Sequence, residues 1–291
     1  MSFRNGCFIN DTKERPESNG TFSNANIIRK LSFNVQFLMN RVLRWKLDEH
    51  SDLVKYGRGH SLLLDLVSIS YRRRSYKKWV GLISESASSQ GFSFTEKTPP
   101  VMLREIFLLG IYNVKGFTPE NGDVVVDVGA NYGDSAIWWA RKFGVKVFAF
   151  EPLSDVFEEF EKNIKLNAVD VVAFNEALGE GEEITGHSVG GMFAIGGNSK
   201  VKTEKLDKYS FERVDLLKID VEGFEYNVLK GAENTIRKFK PRIIIETHTH
   251  ALRDLCHSYL SEHGYQLKVE GRTISTGIKG MDKVTNLFYS T

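Results

Sequence analysis

The sequence predicts an α/β fold built on a doubly wound, mainly parallel sheet. Three observations predict it. Short β-branched runs alternate with amphipathic helical stretches from residue 124 onward. The first run feeds a tight glycine loop, Gly129 to Gly133, that opens into a helix. The second run ends in an acid, Glu151, 22 residues beyond Gly129, where such sheets place a group for a ligand.

The elements follow in order. Residues 1–25 are polar and read as a loose tail. Ile27, Leu31, Val35, Leu38 and Val42 recur at helical spacing, so 27–47 reads as helix. Residues 61–83 and 100–112 also read as helical, with the serine-rich 84–93 as a linker. Residues 1–118 are thus expected to form a helical N-terminal extension or cap, and 119–291 the α/β domain. The boundary is the turn signal Thr118-Pro119-Glu120-Asn121-Gly122-Asp123. Strands are expected at 124–128, 145–150, 171–174, 215–219 and 242–246, with two late ones near 266–269 and 285–289. Helices are expected at 135–143, 154–167, 224–239 and 251–263. The 154–167 helix shows the pattern well: Val156, Phe160 and Ile164 share one face, and Glu158, Glu159 and Glu161 another.

Composition excludes several classes. The chain has 291 residues, 41% hydrophobic and 26% charged, which is ordinary for a globular protein. Low-complexity disorder and collagen-like fibres are excluded. No apolar run approaches the roughly 18 residues of a membrane span. The first twenty residues carry no apolar signal core. Two cysteines, Cys7 and Cys256, exclude a disulfide framework. A cytoplasmic setting is therefore expected. Charge is uneven: residues 1–118 carry a net +8 and 119–291 a net −6. The basic patch Arg72-Arg73-Arg74 with Lys77 and Lys78, interleaved with Tyr71, Tyr76 and Trp79, offers a contact for nucleic acid or anionic lipid. A solvated helix face is the preferred reading, and no nucleic-acid partner is expected.

The first loop carries the chemistry. It reads Asp127-Val128-Gly129-Ala130-Asn131-Tyr132-Gly133-Asp134. Gly129 and Gly133 let the backbone approach a ligand without a Cβ. A carboxylate at Glu151 accepts hydrogen bonds from ribose hydroxyls. Together they describe a nucleoside crevice. The dinucleotide fingerprint G-x-G-x-x-G is not met, because Asn131 replaces its middle glycine. Asp134 also puts negative charge where a pyrophosphate would lie. A phosphate-free cationic ligand such as S-adenosylmethionine fits better. Further on, Asp220 ends the fourth strand and Glu222 follows before Gly223. Two acids at the mouth of a crevice position a hydroxyl, accept its proton or hold a metal. Glu225 reads as a helix cap.

Thr247-His248-Thr249-His250 follows the fifth strand, and alternation points both imidazoles to one side. Glu246, Asp220 or Cys256-His257 are further ligands if a metal is bound there. The preferred reading has no metal and gives one histidine to the acceptor as a base or hydrogen-bonding group.

These residues carry a resemblance to a known family. V-V-D-V-G-A-N-Y-G, A-F-E-P, N-E-A-L-G, K-L-D-K-Y, D-L-L-K-I-D-V-E-G-F-E, V-L-K-G-A and P-R-I-I-I-E-T-H stand in one order from Gly122 onward. The chain from there resembles the FkbM family of S-adenosylmethionine-dependent methyltransferases. The resemblance implies a class I, Rossmann-like methyltransferase fold, with seven strands and the last antiparallel. It implies O-methylation of a hydroxyl on a sugar, glycolipid, glycan or secondary metabolite. It places Asp127, Gly129, Asn131 and Gly133 around the methionine part of the cofactor and Glu151 on the ribose. Pro152 and Leu153 would flank the adenine, and Asn175, Glu176 and Ala177 its edge. Asp220, Glu222 and His248 would face the acceptor. The glycine-rich stretch 186–197 would be a mobile loop near the acceptor mouth. Asp134 departs from the family pattern.

Two other readings compete. A nicotinamide-dependent oxidoreductase fits the spacing of Gly129 and Glu151, against the missing glycine. A non-catalytic binder of nucleic acid or membrane would use the basic front half, and its binding would fall steeply with salt.

Overall fold

The computed structural model describes residues 76–189, 192–195, 199–271 and 285–291. Seven strands form the main sheet: β1 (Val124–Val128), β2 (Lys146–Phe150), β3 (Val171–Phe174), β8 (Leu216–Ile219), β9 (Arg242–Thr247), β10 (Gln266–Glu270) and β11 (Thr285–Ser290). Their order is β10-β11-β9-β8-β1-β2-β3. β11 runs antiparallel to both its neighbours, and the β1, β2, β3, β8 and β9 pairings are parallel. The expected fold class is therefore the observed one: seven strands, with the last antiparallel.

Sequence dictates this plan plainly in the centre. β8 is buried along its whole length, as a central parallel strand must be. Val125, Val126 and Val128 of β1 and Ile243, Ile244 and Ile245 of β9 are likewise buried. The switch in order lies between β1 and β8, so the carboxyl ends of those strands flank a crevice. Helices α2 (Asp134–Phe143) and α3 (Ser154–Asn167) follow β1 and β2. α4 (Glu225–Gly231) and α5 (Glu233–Phe239) follow β8, and α6 (His250–Glu262) follows β9. One helix over 224–239 was expected; it breaks at Ala232, whose φ of −110° is not helical.

The glycine-rich stretch differs from its expectation. It is not a loop throughout: β5 (Glu183–Val189) and β6 (Met192–Ile195) run through it as an antiparallel pair. With β4 (Ala177–Leu178) and β7 (Ser199–Glu204) they make a second sheet, ordered β4-β7-β5-β6.

The front segment also differs in detail. Helix α1 spans Tyr76–Ser89, through most of the serine-rich stretch expected to be a linker. Buried Ile83 and Ala87 lie four residues apart on one face, and Ser86 Oγ donates to Phe107 O at 2.6 Å. These serines are therefore helix surface and packing. Residues 100–112 are not one helix. A 3-10 turn at Pro100–Leu103 and a π-helical turn at Glu105–Leu109 are stopped by Gly110, with φ +62°. The expected helix at 27–47, the Arg72-Arg73-Arg74 patch and most of 61–83 lie outside the described residues.

Residues 92–98 are stitched to α3. Ser93 N–H donates to Asn167 Oδ1 at 3.0 Å and Thr95 N–H to Asn163 Oδ1 at 2.9 Å. Asn163 is wholly buried, and its Nδ2 donates to Thr98 Oγ1 and to Tyr132 O. This one amide ties the front segment to the loop after β1. Asn163→Leu strands the Thr95 N–H and the Tyr132 carbonyl, at roughly 1–3 kcal/mol per stranded group. Urea denaturation is expected to show that loss with an unchanged slope.

Candidate active site

A crevice of about 370 Å³ opens at the carboxyl ends of β1, β2 and β8. Its floor is the loop after β1. Gly129 has φ +80°, and a Cβ there would sit 1.8 Å from Asp220 O, so only glycine lets this loop lie against the end of β8. Gly133, φ +86°, is needed for a different reason. Its Cβ would strike the Phe160 ring at 2.1 Å, so it seats the start of α2 on α3. It does not line the crevice.

Glu151 stands just beyond β2. Its Oε2 accepts from Asn131 N–H at 3.0 Å and its Oε1 from Leu153 N–H at 2.9 Å. The two bonds fix a nearly buried carboxylate on the crevice wall. Burial pushes its pKa up to about 7, against the pull of those two N–H groups. Asp134, at the start of α2, also faces the crevice, and burial likewise pushes it up to about 7.

Behind the loop lies a buried ion network that the sequence reading missed. Lys218 is 3% exposed. Its Nζ is 3.0 Å from Asp127 Oδ1 and 3.7 Å from Asp220 Oδ2, and it donates to Gly129 O at 2.8 Å. Ser135 Oγ donates to Asp127 Oδ2 at 2.5 Å. Burial disfavours the Lys218 charge, but Asp127 and Asp220 outweigh it and hold its pKa above the ordinary value. The signal in the sequence was a lysine inside an otherwise apolar strand, Leu216-Leu217-Lys218-Ile219. Asp127, expected beside the cofactor, is wholly buried and does not line the crevice. It works one layer down, holding Lys218 and Ser135, which do line it.

The other expected residues divide in the same way. Gly129, Asn131, Glu151, Pro152, Glu176 and Ala177 line the crevice. Asn175 does not; its Nδ2 donates to the Glu151 and Pro152 carbonyls and so fixes the β2 exit. Glu176 accepts from Tyr209 Oη and Lys208 Nζ. The far wall comes from the front segment, through Met102, Glu105, Ile106 and Tyr112. No motif marked these residues.

At the mouth, Asp220 and Glu222 line the crevice, and Glu246 joins them from β9. Glu222 holds a left-handed φ of +54°, a strained setting for a residue with a side chain. His248 lies behind them. Its Nδ1 is 2.9 Å from Glu225 Oε1 and its Nε2 is 3.2 Å from Glu222 Oε2. Asp220 Oδ1 and Glu246 Oε1 are each 3.9 Å from that Nε2. Burial opposes charge on the ring, but the Glu225 bond and the surrounding acids prevail and hold its pKa up at about 10.

His248, expected to face the acceptor as a base or hydrogen-bonding group, is set back from the crevice. It is 3% exposed and does not line the crevice. An imidazolium clamped between two carboxylates has no lone pair for an acceptor proton. The expected pairing with His250 also fails. β9 ends at Thr247, Thr249 caps α6 through a bond from Leu252 N–H, and His250 is exposed. Cys256 belongs to the apolar core and His257 meets Tyr289 Oη. Glu225 does not act as the expected cap: the N-cap of α4 is Phe224, without a side-chain bond, and the Glu225 carboxylate instead accepts from Gly223 N–H and anchors His248.

Comparison with known proteins adds the following. Residues 127–267 match the family model described as a methyltransferase FkbM domain. The chain is 25% identical over 211 residues to the methyltransferase sdnD of Sordaria araneosa, across 56% of this chain and 81% of that one. It is 29% identical over 140 residues to the hexuronic acid methyltransferase AglP of Haloferax volcanii, across 44% of this chain and 57% of that one. Among solved structures it is similar to an FkbM methyltransferase of Methylobacillus flagellatus KT. That likeness has a TM-score of 0.45 and 16% identity, covering 72% of this chain and 57% of that one. The matches to AglP and to the M. flagellatus protein span little more than half their length. Among the described residues no helix is long and apolar enough to cross a membrane.

Proposed function

We propose that this chain, whose residues 127–267 match the methyltransferase FkbM domain, binds S-adenosylmethionine in the crevice and methylates a hydroxyl oxygen. The observation that carries the cofactor is Glu151. It presents a carboxylate at the carboxyl end of β2, fixed by two backbone N–H groups, where a ribose diol donates two hydrogen bonds. The donor set also fits. Seven carboxyl groups line the crevice against Arg104 and Lys218, a setting for a sulfonium and an ammonium rather than a pyrophosphate. Asp134 on the crevice wall argues against a nicotinamide dinucleotide in the same way.

When bound, the cofactor supplies an electrophilic methyl group on sulfur. The chain does the rest. Glu151 and Pro152 orient the adenosine. Phe150, Leu178, Ile184 and Ile106 give the crevice apolar walls that exclude water. Asp220 and Glu222 hold the acceptor hydroxyl in line, and Glu222 takes its proton. AglP, by its name, acts on a hexuronic acid, which supports a sugar-type acceptor. The acid-rich mouth favours a neutral or amino-bearing hydroxyl compound over a uronate. Such an acceptor fits a glycan, glycolipid or secondary metabolite.

Glu222→Gln is expected to lower kcat about 10²-fold, with the cofactor Kd unchanged. Asp220 is expected to cover part of its role. The cofactor itself is tested by thermal shift with S-adenosylmethionine, S-adenosylhomocysteine and NAD. A ligand at 100 times its Kd stabilises by about 2.7 kcal/mol, a rise of roughly 5 °C or more. A shift with NAD alone overturns the reading.

A further inference from the structure

We propose that Asp220, Glu246 and His248 form a binding site for a hard divalent cation of the Mg²⁺/Mn²⁺ class at the mouth of the crevice. The sequence pairs His248 with His250, offers Glu246 and Asp220 as further ligands and favours no metal. In the structure His250 is exposed elsewhere, while Asp220 and Glu246 stand beside His248 at the ends of adjacent strands.

The geometry is the first argument. One ligand atom from each of the three residues lies within 4.8 Å of the others. His248 Nε2 is 3.9 Å from both Asp220 Oδ1 and Glu246 Oε1. Atoms about 2.1 Å from a common octahedral ion stand roughly 3 Å apart when adjacent and about 4.2 Å apart when opposite. Small side-chain rotations therefore close the set on one ion.

The imidazole is also oriented as a ligand. Nδ1 faces Glu225, a wholly buried carboxylate that is itself fixed by Gly223 N–H. A metal-ligating histidine commonly donates its other N–H to such a carboxylate, which turns the free nitrogen to the ion. Here that nitrogen faces Asp220, Glu222 and Glu246. A cation displaces the proton from Nε2 and leaves Nδ1–H on Glu225.

A second, independent observation is Glu246. It lines the crevice and is 9% exposed, yet among the described residues its Oε2 is buried without a hydrogen-bond partner. A carboxylate oxygen left so is costly, and a bound cation removes the cost. Charge agrees. Four carboxylates converge on one imidazole, and Lys218, 3.7 Å from Asp220, is already paired with Asp127 at 3.0 Å. Two carboxylates and one imidazole leave about half of an octahedral shell open to the crevice. Two neighbouring hydroxyls of a polyol fit there. That role toward the acceptor rests on the proposed methyl transfer; the cation site itself does not.

The test is direct binding of Mn²⁺ to the full chain stripped with EDTA and dialysed. Titration calorimetry and the loss of free-Mn²⁺ electron paramagnetic resonance signal both report it. One Mn²⁺ per chain is expected, with affinity at least tenfold weaker in Glu246→Gln and in Asp220→Asn. Both substitutions are near-isosteric, and Asp220 is at the surface of the crevice, so the second variant serves if the first fails to fold. No saturable binding to the wild type overturns the proposal. So does equal binding by both variants, or uptake of Zn²⁺ with exclusion of Mn²⁺. S-adenosylhomocysteine added to the EDTA-treated chain separates the two readings. A thermal shift there without Mn²⁺ binding removes the cation site and leaves the cofactor. Mn²⁺ binding without that shift does the reverse.

Discussion

Lys218→Met is expected to destabilise the chain by about 3–5 kcal/mol, the usual cost of leaving a buried charge without its partner. The reason lies in the layer beneath the crevice. Asp127 is wholly buried, and its bonds go to Lys218 and Ser135. Burial already raises the Asp127 pKa, and Lys218 is the largest influence pulling it back. Without Lys218 the carboxyl takes up a proton, and Gly129 O loses its donor at the turn after β1. Binding of S-adenosylhomocysteine should fall with stability, because that loop forms the crevice floor. The double variant Lys218→Met with Asp127→Asn separates pairing from packing. If the loss is electrostatic, the double variant recovers stability relative to Lys218→Met, with a coupling above about 1 kcal/mol. Strict additivity in urea denaturation would show that Lys218 works through packing alone.

This network also shows what sequence can and cannot reveal. The β-branched run of β1, the glycine loop, the amphipathic α3 and the acid after β2 were all readable, because each is a local pattern with a local cause. The position of Glu151 was readable for the same reason. The role of Asp127 was not. A strand-end acid in a motif reads as a ligand group, whereas its partner Lys218 lies 91 residues away and meets it only through the pairing of β1 with β8. His248 shows the limit from the other side. Alternation predicted where His250 would point, but the Thr249 cap starts a helix and ends the alternation. Glu105 and Tyr112 enter the crevice from outside the motif-bearing segment and have no signature of their own. The second sheet was partly legible: Lys200-Val201-Lys202-Thr203 alternates, with both lysines exposed and Thr203 buried.

The second large effect concerns Glu151, through both affinity and pH. Glu151→Gln puts an amide N–H₂ against a backbone N–H that the carboxylate now satisfies, and it removes the charge that a ribose diol would meet. Hydrogen bonds to a charged group contribute about 1.5–3 kcal/mol each, so two of them predict an S-adenosylhomocysteine Kd raised by roughly 10²-fold or more. The pH dependence has a definite sign. The folded-state pKa, about 7, lies above the ordinary 4.5. The folded chain without ligand therefore holds a proton that the unfolded chain has lost. Its contribution is fully present below pH about 4.5 and is lost as pH rises through about 7, at about 1.4 kcal/mol per pKa unit. Between pH 5 and pH 8 that predicts a fall of about 2–3 kcal/mol from Glu151. Glu151→Gln should flatten the fall by that share and leave the part due to Asp134, which is also pushed up to about 7. Ligand binding runs the opposite way. Ribose hydroxyls favour the carboxylate, so wild-type affinity for S-adenosylhomocysteine should rise from pH 6 to pH 8. Calorimetry at the two pH values should find that rise missing in Glu151→Gln. An equal rise in both proteins would remove Glu151 from the ribose and shift attention to Asp134, the other raised carboxyl on the crevice wall.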